Sequence, residues 1–379
     1  MYQYQQTECY FAQIAEGCEE AGGRELGELG AVDVHPVYRG IHFKADQKTL
    51  YTINYGARLP TRILAPLITF DCHSTRYLQK TARTIPWEDF IRMDQTFAVN
   101  ANVANSKIRH SRYAALCLKD AVVDGFRGKF GQRPSIDTIH PDLWINLHLQ
   151  KNRATISIDT SGGSLHRRRY REQSVEAPLL ETVAAAIIGL TEWDGSRPLY
   201  DPLCGSGTLI AEALIAYCHI PAGYLRPQFG FERLPDFDPR LWVSVQKEMQ
   251  RKIRPLPRGL IGASDISPEA VKATATNLRH LPFGDGVDVK RTDFRAIETL
   301  ENTVIISNPP YGIRMQAEPN LGDFYRQLGD FLKQRCHGAT AYIYFGNREM
   351  IGSVGLRPSW KKPLSNGGLD GRLVKYELY

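Results

Sequence analysis

Apolar and polar positions divide the chain into two styles. Over roughly the first 160 residues, short apolar stretches of differing period follow one another without a fixed rhythm. Tyr10-Phe11-Ala12-Gln13-Ile14 has strand character, and Cys18–Leu29 reads as a short acidic helix ended by glycines. Val37–Phe43 is rich in β-formers, and Lys48–Ala57 fits a second helix. Thr96–Ala101 alternates as a strand does, whereas Arg112–Phe130 spaces Tyr113, Leu116, Ala121, Val122 and Phe126 near the helical period. Leu143–Leu149 and Ala154–Asp159 both alternate with period two around a turn at Lys151-Asn152-Arg153, which predicts a hairpin. Short strands with helices between them predict an α+β sandwich here.

Beyond Arg171 the pattern becomes a regular alternation of strand and helix. An amphipathic helix with proline at its first position is predicted over Pro178–Leu190. Strands are predicted at Pro198–Tyr200, Gly259–Ser264, Val287–Lys290, Thr303–Ser307 and Ala339–Phe345. Helices are predicted between them at Thr208–Cys218, Pro268–Leu281 and Leu321–Cys336. Parallel strands joined by crossover helices make an open, doubly wound α/β sheet that binds ligands at the carboxyl ends of its strands. His219–Arg258 breaks the rhythm and reads as an insertion with a helix around Trp242–Lys252. Its Tyr224, Phe229 and Phe231 suit either a substrate channel or a core.

Composition adds little until charge is divided along the chain. The 379 residues are 42% hydrophobic and 23% charged, which argues against disorder as the main state. Met1–Cys9 lacks a basic segment followed by an apolar one, so no secretion signal is expected. No apolar run is long enough to span a membrane. Seven scattered cysteines, without a Cys-x-x-Cys pair or a nearby His at zinc spacing, predict reduced thiols, no metal and a cytoplasmic setting. The net charge of +6 is unevenly held: residues 1–57 carry −4, residues 58–171 carry +10, and the remainder is neutral. A basic segment beside a neutral one points to a polyanion-binding module next to a chemical one. Near the end of the basic part, His166-Arg167-Arg168-Arg169-Tyr170-Arg171 is expected to contact phosphates without reading bases.

Three motifs carry the chemistry. Asp201-Pro202-Leu203-Cys204-Gly205-Ser206-Gly207-Thr208 lies between a strand and a helix, and Gly205 and Gly207 permit a sharp turn and close backbone approach to a ligand. No Gly-Lys-Ser/Thr follows, and Ile210 stands where a dinucleotide site would place its third glycine. The loop therefore suits a nucleoside without a pyrophosphate, such as S-adenosylmethionine. Asp265, ending the next strand before Ile266-Ser267-Pro268, can take both ribose hydroxyls, while Ser267 is well placed to cap the following helix. Asp293 offers an acceptor for the adenine amine and Phe294 a ring to flank it. Asn308-Pro309-Pro310-Tyr311 follows an apolar strand, and its prolines remove two N–H donors. The Asn308 side-chain oxygen and the Pro309 carbonyl can then accept both hydrogens of an exocyclic amine, with Tyr311 stacked on the base. Cys204 reads as a small packing residue.

In order and spacing, Asp201–Thr208, Asp265, Asp293 and Asn308–Tyr311 resemble the class I S-adenosylmethionine-dependent amino-methyltransferases. Phe97-Ala98-Val99, the basic helix after it, the hairpin through Asp159 and the Leu165–Arg171 linker are similar to those of THUMP-containing bacterial RNA methyltransferases. Within these, the chain is most similar to the family that methylates guanine N2 in large-subunit (23S) ribosomal RNA. The resemblance implies a ferredoxin-like segment over residues 1–57, a THUMP RNA-binding domain over 58–162, a basic linker over 163–177 and a Rossmann-like catalytic domain over 178–379. Some members carry a second domain that makes 7-methylguanosine; this chain ends at Tyr379, and one activity is expected of it.

The implied catalytic residues are Asn308, Pro309, Pro310 and Tyr311. Asp201, Pro202, Cys204, Gly205, Ser206, Gly207, Thr208, Asp265, Ile266, Asp293, Phe294 and Asn308 are expected around the cofactor. Lys107, Arg109, Arg112, Arg167, Arg168, Arg169, Tyr170 and Arg171 are expected on RNA. Three alternatives stay open: adenine-N6 methylation of RNA or DNA, guanine-N2 methylation of transfer RNA, and a non-catalytic RNA-binding assembly factor.

Overall fold

The computed structural model describes residues 1–173, 179–310 and 321–379. The helices, in chain order, are α1 (Gln3–Thr7), α2 (Glu19–Glu28), α3 (Gln47–Gly56), α4 (Thr75–Ala82) and α5 (Ser111–Phe130). They continue as α6 (Glu181–Thr191), α7 (Thr208–Cys218), α8 (Pro239–Gln250), α9 (Pro268–Arg279) and α10 (Leu321–Arg335). The chain divides into two compact units, one of residues 1–14, 22–165 and 226–247, the other of residues 15–21, 166–225 and 248–379.

The first unit holds an eight-stranded mixed sheet of β1 (Cys9–Gln13), β2 (Val32–Val37), β3 (Gly40–Lys44), β4 (Arg62–Asp71), β5 (Thr96–Ala104), β6 (Ser135–Ile136), β7 (Leu143–Gln150) and β8 (Arg153–Asp159). Their order is β2-β3-β1-β4-β8-β7-β5-β6. The predicted hairpin is β7–β8, antiparallel with Ile145 opposite Ile158. β4 is not among the elements expected from sequence, and it carries Pro66, a residue that a regular strand interior does not favour. The proline is accommodated where the β4–β8 register shifts, between Pro66 and Ile68.

The segment read as an insertion contributes α8, which starts three residues earlier than expected, and residues 226–247 belong to this first unit. Phe229 and Phe231 are buried there, their rings stacked 5.3 Å apart, with Tyr51 stacked 4.4 Å from Phe231 and Trp242 edge-on at 5.0 Å. Of the two roles left open for these phenylalanines, the structure gives them the core.

The second unit holds β9 (Leu199–Asp201), β10 (Ile261–Asp265), β11 (Asp288–Arg291), β12 (Val304–Ser307), β13 (Thr340–Phe345), β14 (Trp360–Asn366) and β15 (Leu369–Glu377). The order is β11-β10-β9-β12-β13-β15-β14, parallel from β11 to β13 and antiparallel beyond. Every residue of β12 and β13 is buried, as expected of strands covered on both faces. α10 packs Tyr325, Leu328, Phe331 and Leu332 against Ile305, Ala341, Ile343 and Val374 of the sheet.

The helix predicted from Pro178 begins at Glu181 instead, and Pro178 lies outside the described residues. The Leu180 N–H at its N-terminus donates to the Asn366 side-chain oxygen at 3.0 Å, so the end of β14 caps α6.

The chain moves outward from β9 to β10 and β11, then returns to lay β12 on the other side of β9. This reversal opens a crevice at the carboxyl ends of β9 and β12, the place where such sheets bind ligands. Asp201 ends one of these strands and Ser307-Asn308 follows the other.

Candidate active site

β9 ends in Asp201, whose side chain accepts the Leu203 N–H at 3.0 Å and so starts the turn out of the sheet. Burial pushes this carboxyl up to about 7, against the opposing pull of the Leu203 amide. Pro202, Ser206 and Thr208 are buried with it. Gly205 and Gly207 have φ of +57° and +79°, the left-handed region where a side chain is strained. A Cβ on Gly207 would also stand 2.8 Å from the Thr274 methyl. Cys204 is interior and its N–H donates to the Ser264 carbonyl at 3.0 Å. Burial raises its thiol pKa, which fits a packing residue and not a nucleophile.

Asp265 ends β10 beside this loop. One carboxylate oxygen accepts the Gly205 N–H at 2.9 Å and the other the Ser267 N–H at 3.0 Å. Each oxygen keeps acceptor capacity, so ribose hydroxyls can still be taken. Ser267 caps α9 by accepting the Ala270 N–H at 3.1 Å, with Pro268 in the first turn. Next to Asp265, Ile266 is 54% exposed, an apolar surface that a flat base can cover.

The third strand behaves differently from expectation. Arg295 grips Asp293 through Nε at 2.9 Å and Nη2 at 2.5 Å, and this hydrogen-bonded guanidinium holds the carboxyl below its usual range. Phe294 does not present a ring to a ligand: it is 3% exposed, edge-on to Phe324 at 5.6 Å and Phe331 at 5.7 Å. The expected adenine-flanking role is therefore corrected to a core role. Ile266 is the exposed apolar side chain beside Asp265.

Across the crevice, Asn308 leaves β12. Its Oδ1 is buried and has no hydrogen-bond partner among the described residues. A buried acceptor left unpaired is costly, and a donor arriving with a ligand relieves that cost. Pro309 is buried and Pro310 half-buried. Neither has an N–H, so carbonyls are their main-chain polar handles. The Pro310 carbonyl accepts the Tyr325 hydroxyl from α10 at 3.3 Å. Tyr311 lies outside the described residues.

The basic run needs the largest correction. Arg168 and Tyr170 are 2% and 1% exposed, and both bond Glu212 of α7, at 3.4 and 3.3 Å. Arg171 reaches Glu181 at 3.1 Å and the Thr208 hydroxyl at 3.0 Å. Buried or engaged in this way, these three side chains brace the helix behind the glycine loop instead of meeting RNA. Arg167 and Arg169 are exposed, as are Lys107, Arg109 and Arg112 around the start of α5.

Thr274 and Asn277 of α9, which pattern reading passed over, face the loop: Thr274 donates to the Gly205 carbonyl at 2.8 Å and Asn277 to the Ser206 carbonyl at 3.0 Å. The available signal was two polar residues on the buried face of an amphipathic helix, beside Ala270, Ala273 and Leu278. Among the described residues no group of three or more His, Cys, Asp or Glu could hold a metal, and no helix is long and apolar enough to cross a membrane.

Comparison with known proteins gives three family matches along the chain: an RlmL ferredoxin-like domain over residues 10–64, a THUMP domain over 73–159 and an RMKL-like methyltransferase domain over 168–375. A provisionally named RNA methyltransferase of Synechocystis sp. is 39% identical over 374 residues, 98% of this chain and 97% of that protein. The ribosomal RNA large subunit methyltransferase K/L of Syntrophotalea carbinolica is 35% identical over 97% of this chain. The chain spans about half the length of that relative, 53%. Among solved structures, a provisionally assigned methyltransferase complexed with SAH is 28% identical with a TM-score of 0.83, covering 98% of each chain.

Proposed function

The chain belongs to the RMKL-like methyltransferase family, with ferredoxin-like and THUMP domains ahead of the catalytic one, and on that premise we propose that it transfers a methyl group from S-adenosylmethionine to the N2 amine of a guanine in 23S ribosomal RNA. The observation that carries this reading is the Asn308 Oδ1, just past β12, buried and without a hydrogen-bond partner among the described residues. It stands across from a glycine loop and carboxylate suited to a nucleoside.

The donor, when bound, supplies a methyl carbon made electrophilic by its sulfonium. Asp265 takes the ribose hydroxyls and Ile266 lies along the adenine. Guanine N2 is a weak nucleophile because its lone pair is delocalised into the ring. It needs no strong base, since its protons become acidic as the methyl arrives: the S–CH3 bond breaks to release S-adenosylhomocysteine, the N2–CH3 bond forms, and one N2 proton is lost to water. It needs orientation and acceptors for the positive charge that develops on its N–H groups. The Asn308 amide oxygen and the Pro309 carbonyl are those acceptors, and Tyr311 clamps the base. A paired base cannot reach such a crevice, so the target is unpaired or flipped out.

Lys107, Arg109, Arg112, Arg167 and Arg169 are the exposed cations that hold the RNA backbone in place of its counterions. The K/L-type relatives support ribosomal RNA over transfer RNA, and the setting is the cytoplasm. Asn-Pro-Pro-Tyr also suits an adenine amine, so the base itself must be tested. Mass spectrometry of nucleosides from ribosomal and transfer RNA of a deletion strain does this. Loss of N2-methylguanosine from 23S RNA is expected. Loss of N6-methyladenosine would move the activity to adenine, and loss from transfer RNA alone would move the substrate. An unchanged profile, with no S-adenosylmethionine binding by the purified chain, would leave an assembly factor.

A further inference from the structure

The cofactor loop is held from behind by one face of α9. Thr274 and Asn277 stand one turn apart, both fully buried. Thr274 Oγ1 donates to the Gly205 carbonyl at 2.8 Å, and Asn277 Nδ2 donates to the next carbonyl, Ser206, at 3.0 Å. Two successive carbonyls are thus turned toward α9. In a trans peptide the N–H points opposite to the C=O, so the Ser206 and Gly207 N–H groups are directed away from the helix. That of Gly207 closes the turn on the Cys204 carbonyl at 2.8 Å. With Asp265 holding the Gly205 N–H at 2.9 Å, the β10–α9 pair sets the orientation of each peptide in the turn.

Asn277 has a second task. Its Oδ1 accepts the N–H groups of Glu172 and Gln173 at 2.9 and 3.1 Å, and its Nδ2 donates to the Gln173 carbonyl at 2.9 Å. The four bonds use the full donor and acceptor capacity of the amide, and all four go to main chain. The segment leading into the catalytic unit is therefore tied to the same side chain as the loop.

We infer that Thr274 and Asn277 are positioning residues for the cofactor: they orient the glycine-loop peptides, and through Asn277 the incoming segment becomes part of the cofactor site. The inference rests on the cofactor reading of that loop. Its test is calorimetric titration of S-adenosylmethionine into the full chain and its variants, with single-turnover methyl transfer at saturating cofactor and thermal unfolding alongside. Thr274→Val removes the hydroxyl, which donates to Gly205 and also meets the Cys204 thiol at 3.5 Å, and should weaken cofactor binding roughly 5- to 10-fold. Thr274→Ser keeps the donor and should bind within about 2-fold of the parent. Asn277→Ala should weaken binding by about 10-fold or more, with the saturated rate nearly kept.

Parental affinity in Thr274→Val and Asn277→Ala, whatever happens to their melting, would make these contacts structural only and overturn the inference. The same holds if Thr274→Ser binds as weakly as Thr274→Val. If Asn277→Ala does not fold, the Thr274 pair decides. No binding by the parent chain would instead remove the cofactor reading itself.

Discussion

The Asp265 carboxylate accepts the Gly205 N–H at 2.9 Å. The acid that pattern reading assigns to the ribose therefore also fixes the loop beside it. Asp265→Ala should remove both interactions and weaken S-adenosylmethionine binding by about 10- to 150-fold, the worth of charge-assisted hydrogen bonds of about 1.5–3 kcal/mol. RNA affinity should change little, because the proposed mechanism gives this residue to the cofactor. Titration calorimetry with the cofactor and filter binding with RNA separate these effects. Equal losses for both ligands in a folded variant would show that Asp265 supports the unit as a whole.

Asp201 makes a prediction about pH. Its carboxyl sits at about 7 because burial disfavours the charge, whereas an unfolded aspartate titrates near ~3.9. The folded state thus binds the extra proton between these values. The stability this contributes is fully present below about pH 4 and is lost as pH rises through about 7. Asp201→Asn cannot ionise and still offers an oxygen to the Leu203 N–H. In urea unfolding from pH 5 to 8, the variant should gain on the parent by up to about 1.4 kcal/mol per pH unit, levelling off above 7. A constant difference across the range would mean that the Asp201 carboxyl is not shifted.

Arg168 and its exposed neighbours should separate cleanly. Arg168→Ala leaves Glu212 buried without its cation, a loss that typically costs about 3–5 kcal/mol. Arg169→Ala, at an exposed side chain, should leave stability within about 0.5 kcal/mol. RNA binding should show the reverse order: each exposed arginine removed should reduce the slope of log affinity against log salt by up to about 1, while folded Arg168→Ala keeps the parental slope. Chemical denaturation and salt-dependent binding measure the two. An Arg168→Ala protein of normal stability and weakened RNA binding would return this residue to the RNA surface.

These contrasts trace where sequence pattern is informative. The β–α alternation after Arg171 was legible chiefly where its parallel strands are buried on both faces and so apolar, as in β12 and β13. The same reasoning missed β14, where Lys361, Lys362 and Pro363 are exposed and Leu364 alone is buried. The placement of Asp265 at the end of β10 and of Asn308 just past β12 was legible because an apolar strand stretch gives way to a polar group at each point. Arg168 and Tyr170 were misread because a charge run does not reveal that Glu212, more than forty residues away, closes over two of its members. Phe294 was misread for a similar reason, since Phe324 and Phe331 cover it from α10. Long-range partners, invisible to local pattern, decided each of these cases.

The chemistry itself is tested at Asn308 and Tyr311. Asn308→Ala deletes the buried oxygen that has no protein partner among the described residues. An acceptor aimed at developing charge is worth on the order of 3–4 kcal/mol, so the methyl-transfer rate should fall by about 100- to 1000-fold. Cofactor affinity should hardly move, because in the proposed mechanism the side chain serves the base. The folded protein should lose no stability and should gain slightly, since an unsatisfied buried acceptor is removed. Tyr311→Ala should reduce both RNA engagement and rate, stacking being worth about 1–3 kcal/mol per base. Tyr311→Phe should keep most activity, because the ring face carries that contact. Single-turnover rates with enzyme in excess separate binding from the chemical step. Normal turnover by Asn308→Ala together with a dead Tyr311→Phe would require a mechanism built on the Tyr311 hydroxyl in place of the amide acceptor.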